Sequence, residues 1–148
     1  RKAEIRFAHD DDNLYVGILA ISDANSLAHT GPSEGDHWEL FVGTARKAPY
    51  KQMGLMPSGK FQALTVAAGR VCTPWKTGAK YSSVVEPHTW RLALSIPLKD
   101  IAGAAAGKPL YVNLIRGASH WSSELALSPT FTNCYHEPSR FVEVKLAK

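Results

Sequence analysis

Apolar and polar residues alternate with a period of two along most of the chain. The stretch AEIRFAHDDDNLYVGILAIS consists of two alternating runs on either side of a turn rich in Asp and Asn, which is the pattern of a β-hairpin. DHWELFVG alternates in the same way. The pattern therefore predicts a strand with Trp38 and Leu40 on one face and His37 and Glu39 on the other.

Further strands follow at short intervals. YKQMGLMPSGKFQALTV predicts a hairpin that turns at PSG, and AKYSSVVEPHTWRLALSIPL predicts another that turns at EPHT, while PLYVNLIRG and SRFVEVKLA are single strands. Short strands separated by turn signals indicate an all-β fold, a two-sheet antiparallel sandwich of the jelly-roll or immunoglobulin-like type. Only LKDIAGAAAG has a helical composition, and it predicts one short helix.

Size and charge narrow the class of protein. The 148 residues are 45% hydrophobic and 20% charged, which predicts a single globular domain over residues 1–148. No apolar run is long enough to cross a membrane. The net charge of +4 comes from scattered basic residues, so we expect no nucleic-acid partner. Because the chain opens on strand-like sequence, we expect a module of a larger protein.

Cysteine and aspartate allow two further hypotheses. Cys72 and Cys134 have no metal-binding spacing; they form either one disulfide in an exported protein or two buried thiols in a cytosolic one. The cluster HDDDN offers carboxylate oxygens that suit calcium. It lacks the spacing of a calcium loop, and turn chemistry also explains it. A structural calcium ion is thus one cofactor that the sequence leaves open.

The motifs RFAHDDDNLYVGI, GDHWELFVG, YKQMGLMPSGKF, TWRLALSIPLKDI, YVNLIRG and YHEPSRFVEVKL occur in this order. Together they resemble family 9 carbohydrate-binding modules and, more broadly, the DOMON-type sandwiches that bind sugars or haem. The resemblance covers nearly the whole chain, although the family's first strand, ahead of AEIRF, has no counterpart. It implies a non-enzymatic domain that binds an oligo- or polysaccharide. It also implies a secreted, periplasmic or cell-surface location and a parent enzyme that degrades polysaccharides, such as a glycoside hydrolase or polysaccharide lyase.

The resemblance also implies a site. In the family, sugars lie on a concave sheet between aromatic residues of the bordering loops. The aromatic residue before the HEPSRF segment corresponds to Tyr135, with Asn133 beside it, and the glutamate on the sheet corresponds to Glu39. Ser33 stands where the family has the opposing aromatic residue. A ligand would therefore lie against Trp75 or Trp121 instead.

Several of these side chains have an alternative interpretation. Glu39 either accepts hydrogen bonds from two sugar hydroxyls or is a solvated residue on the outer face of the sheet. Trp75 either contacts the ligand or anchors its loop. Arg116 either neutralises Glu39 or holds an acidic sugar through its planar guanidinium, unless the alternation places it on the opposite face. His37 shares the face of Glu39.

Two other functions remain open. An electron-transfer haem domain would need axial ligands such as Met56 and a histidine in one pocket, but Glu39 and Gln52 make that face polar. The third hypothesis is a structural accessory domain without a ligand. A glycosidase would need two carboxylates, which leave no sequence signature; for a chain of this size and fold we predict no catalytic activity.

Overall fold

The computed structural model describes residues 2–27, 35–105, 107–117, 123–132 and 134–146. Within them the strands, numbered in chain order, are β1 (Ala3–His9), β2 (Asn13–Ile21), β3 (His37–Gly43), β4 (Tyr50–Leu55), β5 (Phe61–Val66), β6 (Cys72–Pro74), β7 (Lys80–Glu86), β8 (Thr89–Pro97), β9 (Pro109–Gly117), β10 (Ser123–Ala126) and β11 (Val142–Lys145). The remaining regular segments are short 3-10 turns, among them Leu98–Asp100. No helix in these ranges is long and apolar enough to span a membrane.

The strands form two antiparallel sheets, as the alternation predicted. The smaller sheet has the order β1-β2-β8-β7, and the larger has the order β10-β9-β3-β4-β5-β6, with β11 paired to β9 as well. All the predicted hairpins are present. The sequence did not predict β6 and β10, which are only three and four residues long and offer little alternation to detect.

The predicted short helix is wrong. The described part of LKDIAGAAAG contains only a three-residue 3-10 turn, Leu98–Asp100. Gly103 and Gly107 have φ angles of 81° and 79°, in the left-handed region that ends right-handed helices. Ala104 and Ala105, which follow Gly103, therefore do not continue a helix.

The main core lies between the two sheets. Trp38 and Leu40 of β3 and Trp90 of β8 are fully buried there, which confirms the predicted inner face of β3. Burial of a large apolar side chain contributes about 1.5–3 kcal/mol. These residues therefore fix which face of each sheet turns inward.

A second, smaller apolar cluster lies on the outer face of the larger sheet. It consists of Phe41, Tyr50, Val66, Ile115 and Phe141, each at most 4% exposed. Part of the chain between β10 and β11 folds back over this face, so that the ring of Phe141 lies 5.9 Å from that of Phe41. The outer face is therefore partly covered at one end.

Candidate functional site

Glu39 lies on the outer face of the larger sheet, near its centre. In register, its neighbours are Ile115 on β9 and Gly54 on β4. Its side chain is 17% exposed. Because Gly54 has no side chain, the carboxylate has no side-chain neighbour at its own register on β4. Gly54 itself is buried.

His37 orients the Glu39 carboxylate from the same strand. Its Nε2 lies 3.5 Å from Oε1 of Glu39, and its Nδ1 lies 2.8 Å from the carbonyl oxygen of Gly35. Burial alone would lower the pKa of His37, but the contacts with Glu39 and Gly35 outweigh it and the pKa is raised. A Cβ at position 117 would lie 2.3 Å from the His37 ring, so Gly117 provides the space in which this ring lies.

His136 lies near Glu39 on the covering loop. Its Nδ1 is 2.8 Å from the hydroxyl of Tyr50, and its ring packs edge-to-face on Phe41 with centroids 5.4 Å apart. Burial lowers the pKa of His136, which outweighs the opposing effect of the nearby Glu39 carboxylate. His37 and His136 thus have pKa values shifted in opposite directions, although the Glu39 carboxylate acts to raise both.

Polar side chains continue across the sheet from Glu39. Gln52 on β4 faces outward beside Phe41, and its Oε1 is buried without a hydrogen-bond partner among the described residues. Gln62 on β5 is exposed and pairs with Gly54. A buried acceptor without a donor is unfavourable by about 1–3 kcal/mol, so Gln52 is a polar group on this face whose buried oxygen the described residues do not satisfy.

Asn113 fixes the loop that borders the site. It is fully buried, and its amide forms two hydrogen bonds with the backbone of Ser128, both 3.0 Å long. The loop then leads to Tyr135, which is half-buried against the outer cluster. The structure thus brings Tyr135, Glu39 and His37 to the same outer face.

Phe131, on the same loop, was missed by the sequence analysis. It is 80% exposed, its φ is 56°, and the guanidinium of Arg140 lies 5.3 Å from its ring centroid. A left-handed backbone is a genuine outlier for a bulky residue and is typical of functional loops. The available signal was a single large apolar residue within the polar stretch SPTFTN.

Arg116 does not contact this site, contrary to both site roles predicted for it, and it lies on the opposite face that alternation left open. Its side chain lies on the inner face, 2.7 Å from the Asp36 carboxylate, with its guanidinium 4.7 Å from the centre of the Trp90 ring. It pairs in register with Trp38, so alternation places it opposite to Glu39. Arg116 therefore contributes to the core and cannot hold an acidic sugar beside Glu39.

Trp75 also faces inward. It is 8% exposed within the main core, its backbone N–H donates to the carbonyl of Ala63, and the amine of Lys51 lies 5.2 Å from its ring centroid. This position favours the loop-anchoring interpretation over ligand contact. The predicted ligand residues Trp121 and Asn133, like Ser33, lie outside the described residues.

The structure also bears on the predicted disulfide, the calcium site and the haem ligand. Cys72 and Cys134 are free thiols, the first exposed and the second half-buried. The Asp10 carboxylate accepts bonds from Tyr15 and from two backbone N–H groups of the turn, which lower its pKa to about 2, so Asp10 has a turn-forming role. In the described ranges no group of three or more potential ligands could hold a metal ion. Both ring nitrogens of His37 have partners, which disfavours it as a haem ligand.

The two-sheet sandwich is similar in fold to family 9 carbohydrate-binding modules. A protein from Bacteroides uniformis proposed to bind carbohydrate matches 96% of this chain and 77% of its own, with a TM-score of 0.75 and 17% identity. A family 9 module from Caldicellulosiruptor kristjanssonii matches in complex with glucose (TM-score 0.62, 18% identity, 97% of this chain and 75% of that chain). It also matches in complex with cellotriose (TM-score 0.60, 17% identity, 98% and 74%). No protein-family model and no curated protein matches the chain.

Proposed function

We propose that this chain is a non-catalytic module that binds an oligo- or polysaccharide on the outer face of the larger sheet. The observation that carries the proposal is the Glu39 carboxylate, which is oriented by His37 and lies on a face where Gln52 has an unpaired buried acceptor. Hydroxyl donors of a sugar would satisfy the carboxylate, which is partly exposed. The likeness to modules solved with glucose and cellotriose supports this choice of ligand.

In the proposed complex, the carboxylate of Glu39 accepts hydrogen bonds from two neighbouring hydroxyls of one sugar ring. Bonds to a charged acceptor contribute about 1.5–3 kcal/mol each. The apolar C–H face of the ring packs on Tyr135 or Phe131, because the face of an aromatic ring is electron-rich. Asn133 and Trp121 remain proposed contacts.

The biological setting is also part of the proposal. A shallow site with few contacts binds weakly, in the micromolar to millimolar range, since few contacts must offset the ordering of the ligand. Such a module is useful when it is tethered to an enzyme, where it raises the local concentration of substrate. We therefore propose that the chain, folded as one domain, belongs to a secreted or cell-surface enzyme that degrades polysaccharides.

Isothermal titration with neutral, uronic-acid and sulfated oligosaccharides tests the proposal. We expect saturable binding to one sugar class and a loss of about 10- to 100-fold in Glu39→Gln, the effect of one charge-assisted hydrogen bond. Tyr135→Ala should weaken the same binding. Glu143→Gln is the matched control, because Glu143 is an exposed glutamate on β11 of the same sheet.

Two results would overturn the proposal. Folded protein that gives no heat with any sugar would favour the structural accessory domain. Equal sugar affinity in Glu39→Gln and in the Glu143→Gln control would show that the sugar does not bind at Glu39. Thermal unfolding of each variant distinguishes these results from loss of the fold.

A further inference from the structure

The outer face of the smaller sheet carries exposed apolar side chains among its charged ones. Strand β2 has its core residues on one side and Tyr15, Leu19 and Ile21 on the other, where they are 38%, 39% and 54% exposed. Val84 on β7, the edge strand of the same sheet, is 49% exposed on this face. A strand that is apolar on both faces is typical of one that is covered on both faces.

The same face has a trough across its strands. The trough row consists of the residues that pair in register across the four strands, namely Arg6, Gly17, Ala93 and Ser82. Two adjoining hollows of about 470 and 390 Å³ share Gly17, Ser82 and Ala93. The trough exists because its three central residues have small or no side chains.

A ridge runs parallel to the trough. The ridge row lies two residues further along each strand and consists of Glu4, Leu19, Arg91 and Val84. Its side chains are larger than those of the trough row at every strand except β1, where Glu4 neighbours Arg6. Ridge and trough are therefore of matching length and lie side by side on one face.

We propose that this face binds a second copy of the same chain. A two-fold axis that lies across the strands, between the ridge row and the trough row, places each row against the other row of the second copy. Leu19 of one copy then lies over Gly17 of the other, and Val84 lies over Ser82. Such a contact is isologous, which is the requirement for a closed symmetric dimer.

The charges match under the same axis. Glu4 of one copy meets Arg6 of the other at the edge of the sheet. In the monomer, Glu4 and Arg6 of the same chain pair with each other. At the opposite edge, Glu86 of one copy, which pairs with Arg91 in its own chain, meets Lys80 of the other, because Glu86 and Lys80 lie one row beyond the ridge and the trough on β7. A second copy of the chain supplies both pairs of opposite charges through one axis.

The size of the face indicates a weak dimer. Four strands about 4.8 Å apart and four rows about 6.8 Å apart give roughly 400–500 Å² per copy, at the lower end of specific interfaces. We therefore expect association that depends on concentration. The proposed sugar site is on the other sheet, so dimerisation leaves it free and the inference does not depend on it.

Sedimentation velocity over a concentration series tests the proposal. The wild-type chain should shift from monomer to dimer as its concentration rises. Val84→Arg should abolish the shift, whereas the control Val71→Arg, at a valine that is 59% exposed outside this face, should not. Gly17→Phe should also abolish it without harming the fold, because no atom lies within 4 Å of a Cβ at this position.

Exchanging the charges at Glu4 and Arg6 tests the position of the proposed two-fold axis. Glu4→Arg and Arg6→Glu should each weaken dimerisation several-fold, because like charges then meet across the interface. The double variant restores opposite charges at both places and should recover the wild-type association. A wild-type chain that stays monomeric at every concentration, or a dimer that persists in both Val84→Arg and Gly17→Phe, would overturn the proposal.

Discussion

Asn113 connects the larger sheet to the loop that carries Phe131 and Tyr135. Its Nδ2 donates to the carbonyl of Ser128 at 3.0 Å, and its Oδ1 accepts from the N–H groups of Ser128 at 3.0 Å and Leu114 at 2.9 Å. Each bond contributes about 1 kcal/mol net, and more where a partner stays buried and unpaired. Asn113→Ala should therefore lower the free energy of unfolding by about 2–4 kcal/mol.

Urea unfolding followed by the fluorescence of the buried residues Trp38 and Trp90 measures this change, and the melting temperature should fall by on the order of 10 °C. Asn113→Asp should be at least as harmful, because a carboxylate oxygen would replace the donor that faces the Ser128 carbonyl. Asn25→Ala, at an exposed asparagine, is the control. If Asn113→Ala stayed within about 0.5 kcal/mol of the wild type, the usual range for a surface substitution, the connection would not hold the loop.

Three further predictions concern the core, the loop and pH. Arg116→Met should lower the free energy of unfolding by about 3–5 kcal/mol, since it removes the buried partner of Asp36; urea midpoints that match the wild type would contradict a structural ion pair. Phe131→Ala and Phe131→Gly should both weaken sugar binding by about 2- to 12-fold. Only the glycine variant should also gain about 1 kcal/mol of stability by relieving the left-handed backbone, and titration and melting separate the two effects. Folding lowers the pKa of His136 from 6.5, so the contribution of neutral His136 to stability is lost as the pH falls below about 6.5. Folding raises the pKa of His37, so the contribution of protonated His37 is present below about pH 6.5 and is lost as the pH rises through its folded pKa. His136→Gln should flatten the acidic side of the stability profile, and an unchanged profile would show that His136 does not titrate on folding.

The faces of the strands could be predicted because alternation directly records burial. Trp38 and Leu40 are apolar at every second position, and the structure buries them on the inner face. The same rule was insufficient for Arg116, because the choice of face for a charged residue depends on its register with Trp38 and on the distant residue Asp36. Pairing across strands is set by the tertiary fold and leaves no local signal.

The site was less predictable than the fold for a related reason. Trp75 follows a strand of three residues, and so short a segment does not show which face the next side chain joins. The orienting role of His37 depends on the space above Gly117, which becomes evident only when the two strands are paired. Glu39 and Tyr135 were identified by resemblance, and their common face required the sheet order.

Phe131 shows most directly how a loop of this fold differs from its core. A left-handed conformation costs an ordinary residue about 1–2 kcal/mol, and a ring that is 80% exposed recovers little of this by burial. Arg70 is the other non-glycine residue of the described chain with a left-handed φ, 62°, and its charge acts on Tyr50 and His136 at the same face. Glycine would suit both positions better if stability alone mattered. A sugar on the outer face of the larger sheet, as proposed above, would offset this strain through contact with the two loops.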